Sequence, residues 1–262
     1  MDKMLNEKTI KEKLDTIYIG KDFYFFEETS STFDEAKKIR LKNGSVICAK
    51  RQTNGRGRLG RSWQSENGGI YFSVILKPEM ETAEVHIMTA LCAVGIQRAI
   101  ESLIPCYIKW PNDIVTRSGK KICGILTRLE ANSENEKYIN VGIGINANTK
   151  VFDDELKYAS SIALAKDEDI DENELLCTCL KQIENICDAK DYTLIMEEYK
   201  SKCINLGKRV RILYAHEDKS ETGECIDISK DGCLVIKKDD GTYANVNSGE
   251  VSVRGIYGED YV

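Results

Sequence analysis

The residues best suited to chemistry in this sequence lie between Gln52 and Trp63. Three arginines alternate there with three glycines: Arg56, Arg58 and Arg61 with Gly55, Gly57 and Gly60. Glycine leaves the backbone too free for a stable helix or a central strand, so the pattern predicts a loop. Guanidinium groups and loop N–H groups both bind anions. Residues 55–61, the arginine loop, are therefore predicted to close around a phosphate or carboxylate, although a solvated basic turn fits this segment equally well.

Three further motifs place charge or glycine at predicted strands. Lys109 to Asp113 read KWPND and bring a cation, a large ring, an amide and a carboxylate to one strand end. Lys121 opens the run KICGIL, in which Gly124 lets a ligand approach the strand backbone. Residues 141–146 read VGIGIN, but loop-like residues follow them, which disfavours a dinucleotide-binding fingerprint. Each motif alone is also typical of an ordinary strand or turn.

The composition limits the class of function. The 262 residues carry a net charge of −6, which argues against a nucleic-acid-binding protein. Two histidines argue against a histidine triad or a multi-histidine metal site. The ten cysteines include no Cys-x-x-Cys pair, so reduced thiols are expected. Without a signal-peptide pattern or a run of about 18 apolar residues, the sequence predicts a cytoplasmic protein with no membrane span.

Periodicity and turn residues predict the elements that position these motifs. A short helix and a connector are expected in residues 1–20. A second helix should begin at 31 or 32 with a Thr32–Glu35 capping box and end near 41. Three more helices are predicted at 82–103, 171–187 and 192–203. Strands are predicted at 45–49, 70–76, 107–110, 121–129 and 138–145.

The sequence pattern changes after residue 206. Short strands separated by turn residues are predicted at 209–214, 221–228, 233–236, 243–246 and 250–254. This spacing is typical of a small β-barrel. We therefore predict an α+β protein of two domains, comprising residues 1–206 and 207–262.

In combination and in this order, the motifs resemble those of the biotin–protein ligases. The resemblance rests on Ser31-Thr32, Gln52, the arginine loop, Trp63, KWPND, KICGIL and GIGIN, and it covers nearly the whole chain. It implies a mixed β-sheet catalytic domain of the biotin/lipoate ligase type with helices packed on it, plus a C-terminal SH3-like β-barrel. Family members often carry Asn where this chain has Phe33, and Glu where it has Arg128. The effect of both changes on the pocket stays open.

The resemblance implies a two-step reaction. Biotin and ATP, with Mg²⁺ on the ATP phosphates, would give biotinyl-5'-AMP. A lysine of a biotin carboxyl carrier protein domain, from acetyl-CoA carboxylase or another biotin-dependent carboxylase, would then take the biotin. Thirty residues precede Ser31, too few for the DNA-binding domain of bifunctional members, so DNA is not an expected partner. Which carboxylase accepts the biotin, what the C-terminal barrel contributes and whether the chain forms a homodimer stay open.

The resemblance also assigns roles to residues and implies no metal ligand from the protein. The catalytic residues would be Arg56, Arg58, Lys121 and Asp113. The biotin-binding residues would be Ser31, Thr32, Phe33, Gln52, Arg56, Gly57, Arg58, Lys121 and Gly124. The nucleotide-binding residues would be Gly55, Arg58, Arg61, Trp63, Lys109, Asn112 and Asn146. For Asp113, deprotonation of the acceptor amine and support of the turn are both open.

Three alternatives compete with this interpretation. A lipoate-type ligase shares the fold and the adenylate chemistry, but the arginine loop and KWPND favour biotin. A nucleic-acid-binding module is disfavoured by the negative net charge. A biotin-binding protein without catalysis is disfavoured because Arg56, Arg58 and Lys121 are all present.

Overall fold

A mixed seven-stranded sheet forms the larger part of the computed structural model. The model describes residues 3–38, 41–77, 85–131, 137–214, 220–248 and 251–254. The strands are β1 (Phe23–Thr29), β2 (Val46–Gln52), β3 (Gly69–Leu76), β4 (Cys106–Lys109), β5 (Asp113–Thr116), β6 (Lys121–Ala131) and β7 (Lys137–Asn146). Their order is β1-β2-β3-β7-β6-β5-β4, and only β1 and β2 run parallel.

Six helices lie around this sheet in the described ranges. They are α1 (Glu7–Lys13), α2 (Thr32–Glu35), α3 (Val85–Glu101), α4 (Ile162–Lys166), α5 (Glu172–Cys187) and α6 (Thr193–Lys202). The long helix α3 packs against β6, α5 and α6, and its apolar residues from Met88 to Ile100 are buried. Strand residues alternate between faces, so Cys123, Ile125 and Val141 join this core. The intervening Gly124, Leu126 and Gly142 face the opposite side, where the functional motifs meet.

A smaller antiparallel sheet follows. Its strands are β8 (Arg209–Tyr214), β9 (Ser220–Ile228), β10 (Leu234–Lys238), β11 (Tyr243–Val246) and β12 (Val251–Arg254), ordered β11-β10-β9-β8-β12. The five strands form the small antiparallel domain predicted there, and the sheet is not closed in the described residues, because β11 and β12 lie at its opposite edges without pairing. Val210, Ile212 and Cys225 join the core of the larger sheet, and the division near residue 206 stays a prediction.

The helix predicted from 31 to 41 is shorter in the structure. Helix α2 ends at Glu35, and residues 39–40 lie outside the described ranges. The predicted capping box does not form, because its two side chains make tertiary contacts instead. The Thr32 hydroxyl lies 3.2 Å from Gln52 Oε1, and Glu35 accepts a hydrogen bond from the Thr29 hydroxyl at 2.7 Å.

The other predicted elements form with small shifts of their ends. The start predicted at residue 82 lies outside the described ranges, and α3 is described from Val85. Strands β1 and β5 and helix α4 were not predicted. The four-residue β5 begins directly at Asp113, inside the motif that was expected to form a turn. No helix in the described ranges is both long and apolar enough to cross a bilayer.

Candidate active site

A cleft opens on the face of the larger sheet opposite α3, and glycines form its floor. Gly124 of β6 is paired with Gly144 of β7, and Leu126 is paired with Gly142. A Cβ atom on Gly124 or Gly144 would lie 2.7 or 2.5 Å from the Trp63 ring. Only glycine therefore lets an aromatic ring lie on these backbones. The space in the cleft, with its open mouth included, is about 940 Å³.

One side of the cleft, the neutral end, consists of Ser31, Thr32, Phe33 and Gln52. Gln52 Oε1 accepts a hydrogen bond from the Thr32 N–H at 2.8 Å, and Gln52 Nε2 donates to Ser65 Oγ at 2.9 Å. These contacts fix the beginning of α2 over the strands. The neutral end is thus held by uncharged groups that already satisfy one another.

Ser31 is the exception in this network. Its side chain is 1% exposed, and its hydroxyl has no hydrogen-bond partner among the described residues. A buried polar group without a partner costs about 1–3 kcal/mol. The Ser31 hydroxyl is therefore a ready donor or acceptor for a polar ligand in the cleft.

A second group of cleft residues, the charged end, consists of Arg56, Arg58, Asp113 and Lys121. Lys121 Nζ lies 2.6 Å from Asp113 Oδ1 and 4.9 Å from the centre of the Trp63 ring. Lys121 and Asp113 open β6 and β5, adjacent strands whose pairing brings the two side chains together. The ion pair neutralises a cation that faces the cleft.

The other two cations of the charged end are also paired within the protein. Arg58 donates to Asn112 Oδ1 at 3.0 Å and to the carbonyl oxygen of Ser248, which precedes β12. Burial lowers the pKa of the Arg58 guanidinium, and the nearby Asp113 carboxylate opposes that shift. Arg56 Nη2 lies 2.6 Å from Asp34 Oδ2. A ligand anion that binds at the charged end would compete with these protein partners for the cations.

The arginine loop folds as a small hairpin. Gly57 N–H donates to the Arg61 carbonyl at 2.7 Å, and Trp63 N–H donates to the Gly55 carbonyl at 2.9 Å. Leu59 has a φ of 55° in the turn Arg58–Gly60. A Cβ on Gly55 would lie 2.5 Å from the Trp63 carbonyl oxygen, so this position requires glycine. The predicted closing of this loop around a phosphate or carboxylate stays a prediction.

The KWPND motif is held from several sides. Trp110 N–H donates to Asn205 Oδ1 at 2.8 Å, and the Trp110 indole donates to the Gly232 carbonyl at 2.9 Å. The Tyr199 hydroxyl donates to the Pro111 carbonyl at 3.2 Å. Asn205, Tyr199 and Gly232 were missed in the sequence, since nothing local marks a residue that supports a distant turn.

Fourteen of the sixteen predicted site residues line the cleft. They are Ser31, Thr32, Phe33, Gln52, Arg56, Gly57, Arg58, Arg61, Trp63, Lys109, Asn112, Asp113, Lys121 and Gly124. Gly55 and Asn146 do not line it, and the Asn146 side chain donates to the Ser160 carbonyl at 2.9 Å instead. The floor glycines Gly142 and Gly144 belong to a motif that the sequence shows, but they were not predicted as site residues. Their spacing of two on a strand places them on one face.

In the part of the chain that the structure describes, no group of three His, Cys, Asp or Glu side chains could hold a metal ion. The cleft contains one carboxylate, Asp113, and Lys121 is bound to it. The described residues therefore supply cations and hydrogen-bonding groups, and no metal-ligand cluster.

The geometry agrees with comparisons to known proteins. The model of the biotin/lipoate A/B protein ligase family matches residues 23–146, and that of the biotin protein ligase C-terminal domain matches residues 206–254. The bifunctional ligase/repressor BirA of Bacillus spizizenii is 32% identical over 249 residues, covering 90% of this chain and 76% of that protein. The chain belongs to the biotin protein ligase family.

Solved structures give the same result. The biotin protein ligase of Aquifex aeolicus in complex with biotin and ATP is 32% identical, with a TM-score of 0.78 over 89% of this chain and 99% of that chain. The Leishmania major biotin protein ligase in complex with biotinyl-5-AMP is 25% identical, with a TM-score of 0.61 over 87% and 99%. The fold expected from the motifs, a mixed sheet with helices and a small C-terminal domain, is confirmed.

Proposed function

We propose that this protein is an ATP-dependent biotin ligase that makes biotinyl-5'-AMP and transfers the biotin to a lysine of a biotin carboxyl carrier protein domain. The observation that carries the proposal is one cleft with two different ends. The neutral end offers the unpartnered hydroxyl of Ser31 to the uncharged ureido group of biotin. The charged end offers Arg56, Arg58 and Lys121 to a carboxylate and a triphosphate.

In the first step, a biotin carboxylate oxygen attacks the α-phosphorus of ATP, and the bond to the pyrophosphate leaving group breaks. Two anions must approach each other, and fixed cations stabilise the charge that concentrates at the α-phosphate. Lys121 and Arg58 are the cations nearest Asp113 and Asn112 at the end of β5. We propose that both exchange their protein partners for phosphate or carboxylate oxygens.

In the second step, the acceptor lysine amine attacks the carbonyl carbon of the adenylate, AMP leaves, and the amine loses a proton. Asp113 is the carboxylate that lines the cleft. Once Lys121 turns to the phosphate, Asp113 is released from the ion pair and is able to accept that proton. Asp113 could instead only support the turn. Its contact with Lys121 is compatible with either role.

Trp63 lies on the Gly124 and Gly144 backbones, and its indole N–H has no acceptor among the described residues. We propose that the ring leaves this floor and packs on the adenylate. A closed loop would then keep water from the mixed anhydride. Arg61 and Lys109 line the same cleft and are proposed to contact the nucleotide.

The substrates and the partner follow from the same chemistry. ATP is proposed to enter with Mg²⁺ on its phosphates, because Mg²⁺ retains water ligands and binds phosphate oxygens. Relatives from Paracoccus denitrificans and Mycobacterium tuberculosis are named biotin–[acetyl-CoA-carboxylase] ligase, which supports a carrier domain of a biotin-dependent carboxylase as the acceptor. A cytoplasmic location, the absence of DNA binding and a homodimer stay predictions.

The test is pyrophosphate release with biotin, lipoate and octanoate supplied in parallel, followed by labelling of a biotin carrier domain. We expect release with biotin alone and biotin on one carrier lysine. Equal or faster release with lipoate would instead identify a lipoate-type ligase.

A further inference from the structure

Phe33 closes the neutral end of the cleft. Its side chain is 3% exposed although it lines the cleft, and a Cβ atom on Gly142 would lie 2.9 Å from Phe33 Cδ2. The ring therefore rests on the β7 backbone, as the Trp63 ring does one glycine further along the strand. Phe33 ends the apolar floor beside the polar atoms of Ser31, Thr32 and Gln52.

The structure holds Phe33 in this position through its backbone. Asn140, which is fully buried on β7, donates from Nδ2 to the Phe33 carbonyl oxygen at 3.1 Å. The preceding residue, Thr32, accepts a hydrogen bond from the Ser73 hydroxyl at 3.0 Å and donates its N–H to Gln52 at 2.8 Å. Three neighbouring strands thus fix one short helix, and with it the backbone position from which the Phe33 ring projects into the cleft.

Arg128 contacts Phe33 from the outer side. Its guanidinium carbon lies 5.7 Å from the centre of the ring, and Arg128 is paired with Asn140 across β6 and β7. A cation over an aromatic face is attracted by the negative charge of the ring face. Phe33 is consequently enclosed by Gly142 below, Arg128 outside and the cleft on its remaining side.

The chemistry of biotin matches this arrangement. Its ureido group is polar, whereas the fused thioether ring is apolar and lacks any group that needs a hydrogen bond. On the basis of the proposed function, we propose that Phe33 contacts the thioether ring and makes this enzyme select the fused bicycle over ureido ligands with a single ring. Thioether sulfur packs favourably against aromatic rings. A Phe33 ring on a fixed backbone does not fill the space that is left when a ligand lacks the thioether.

The experiment compares kcat/KM for adenylation of biotin and of dethiobiotin, which keeps the ureido ring and lacks the thioether. The wild-type enzyme should prefer biotin. In Phe33→Ala the biotin KM should rise roughly tenfold, the loss expected when a pocket loses contact with a small apolar group. The KM for dethiobiotin should rise much less. The ratio of kcat/KM for biotin to kcat/KM for dethiobiotin should therefore fall at least about fivefold, with little change in kcat.

Phe26→Ala makes the same chemical change on β1, outside the cleft, and should leave the preference unchanged. If Phe33→Ala does not fold, Phe33→Leu, which keeps most of the volume, should give an intermediate preference. An unchanged preference in a folded Phe33 variant would overturn the proposal while leaving the ligase function intact. Absence of pyrophosphate release from the wild-type enzyme with biotin would instead overturn the proposed function.

Discussion

The two ends of the cleft differ in how they are held before a ligand binds. At the neutral end, Thr32 and Gln52 are fixed by short hydrogen bonds between uncharged groups, and only the Ser31 hydroxyl lacks a partner among the described residues. At the charged end, Lys121 is bound to Asp113 and Arg56 to Asp34. The side chains of the neutral end are therefore held in place before a ligand binds. At the charged end, a ligand anion competes with the protein carboxylates for the cations.

The difference follows from the free energy of leaving each kind of group without a partner. An unpartnered buried hydroxyl costs about 1–3 kcal/mol, which a folded domain tolerates. A charge that is partly withdrawn from water costs more to leave without a partner, and each of these cations has a counter-charge or an oxygen acceptor in the protein. Ligand binding then replaces one set of charged contacts by another at similar cost.

Substitutions at the charged end should lower activity the most. Lys121→Gln removes a cation at the site of charge concentration, and kcat for adenylate formation should fall about 10²–10³-fold, as for loss of one stabilising donor. Lys120→Gln changes the preceding, exposed lysine and should stay within twofold of wild type, an order-of-magnitude expectation for a solvated charge. Single-turnover kinetics measure both. A Lys121→Gln rate close to that of Lys120→Gln would contradict the proposed role.

Substitution at the neutral end should have a smaller effect on activity, and it should change the KM for biotin. Ser31→Ala should raise the biotin KM about tenfold, because one hydrogen bond to the ligand is lost. The free energy of unfolding of the unliganded protein should stay equal or rise by up to about 1 kcal/mol, because a buried hydroxyl without a partner disappears.

Ser73→Ala is the matched control for this prediction. Ser73 is also fully buried, but its hydroxyl is bonded to Thr32, so its removal should lower the free energy of unfolding by about 1 kcal/mol. Urea unfolding of the two variants sharpens the comparison. If Ser31→Ala destabilises the protein as much as Ser73→Ala and leaves KM unchanged, the Ser31 hydroxyl is not reserved for a ligand.

The smallest effect is expected at the rim of the charged end. Asp34→Asn releases Arg56 from a partly exposed ion pair, whose contribution is about 0–1 kcal/mol. The KM for biotin or ATP should therefore fall about twofold, with stability nearly unchanged. Glu28→Gln, which removes one of the two exposed carboxylates paired with Arg51 on β2, should leave KM unaltered. A tenfold rise in KM for Asp34→Asn would mean that Asp34 itself supports substrate binding.

Much of the fold and most of the cleft could be predicted from the sequence. The arginine loop, KWPND and KICGIL are contiguous motifs, and their resemblance to a known family implied most of the residues that line the cleft. The long periodic helix α3 and the paired strands β6 and β7 were likewise visible in the pattern.

The features that were missed depend on contacts between distant residues. Thr32 and Glu35 were expected to cap their own helix, but Gln52 and Thr29 compete successfully for them. Asn146 was expected in the nucleotide site, but its side chain is used by the Ser160 carbonyl. A single sequence does not reveal such partners, since they come from strands and loops that only the fold brings together.

A crystal structure with bound biotinyl-5'-AMP tests the central claim most directly. The account predicts that Ser31 gains a hydrogen bond to the ureido group while Thr32, Phe33 and Gln52 keep their positions. It also predicts that Lys121 leaves Asp113, and Arg58 leaves the Ser248 carbonyl, to bind the adenylate. A complex in which both cations keep these protein partners while the neutral end rearranges around the ligand would contradict it.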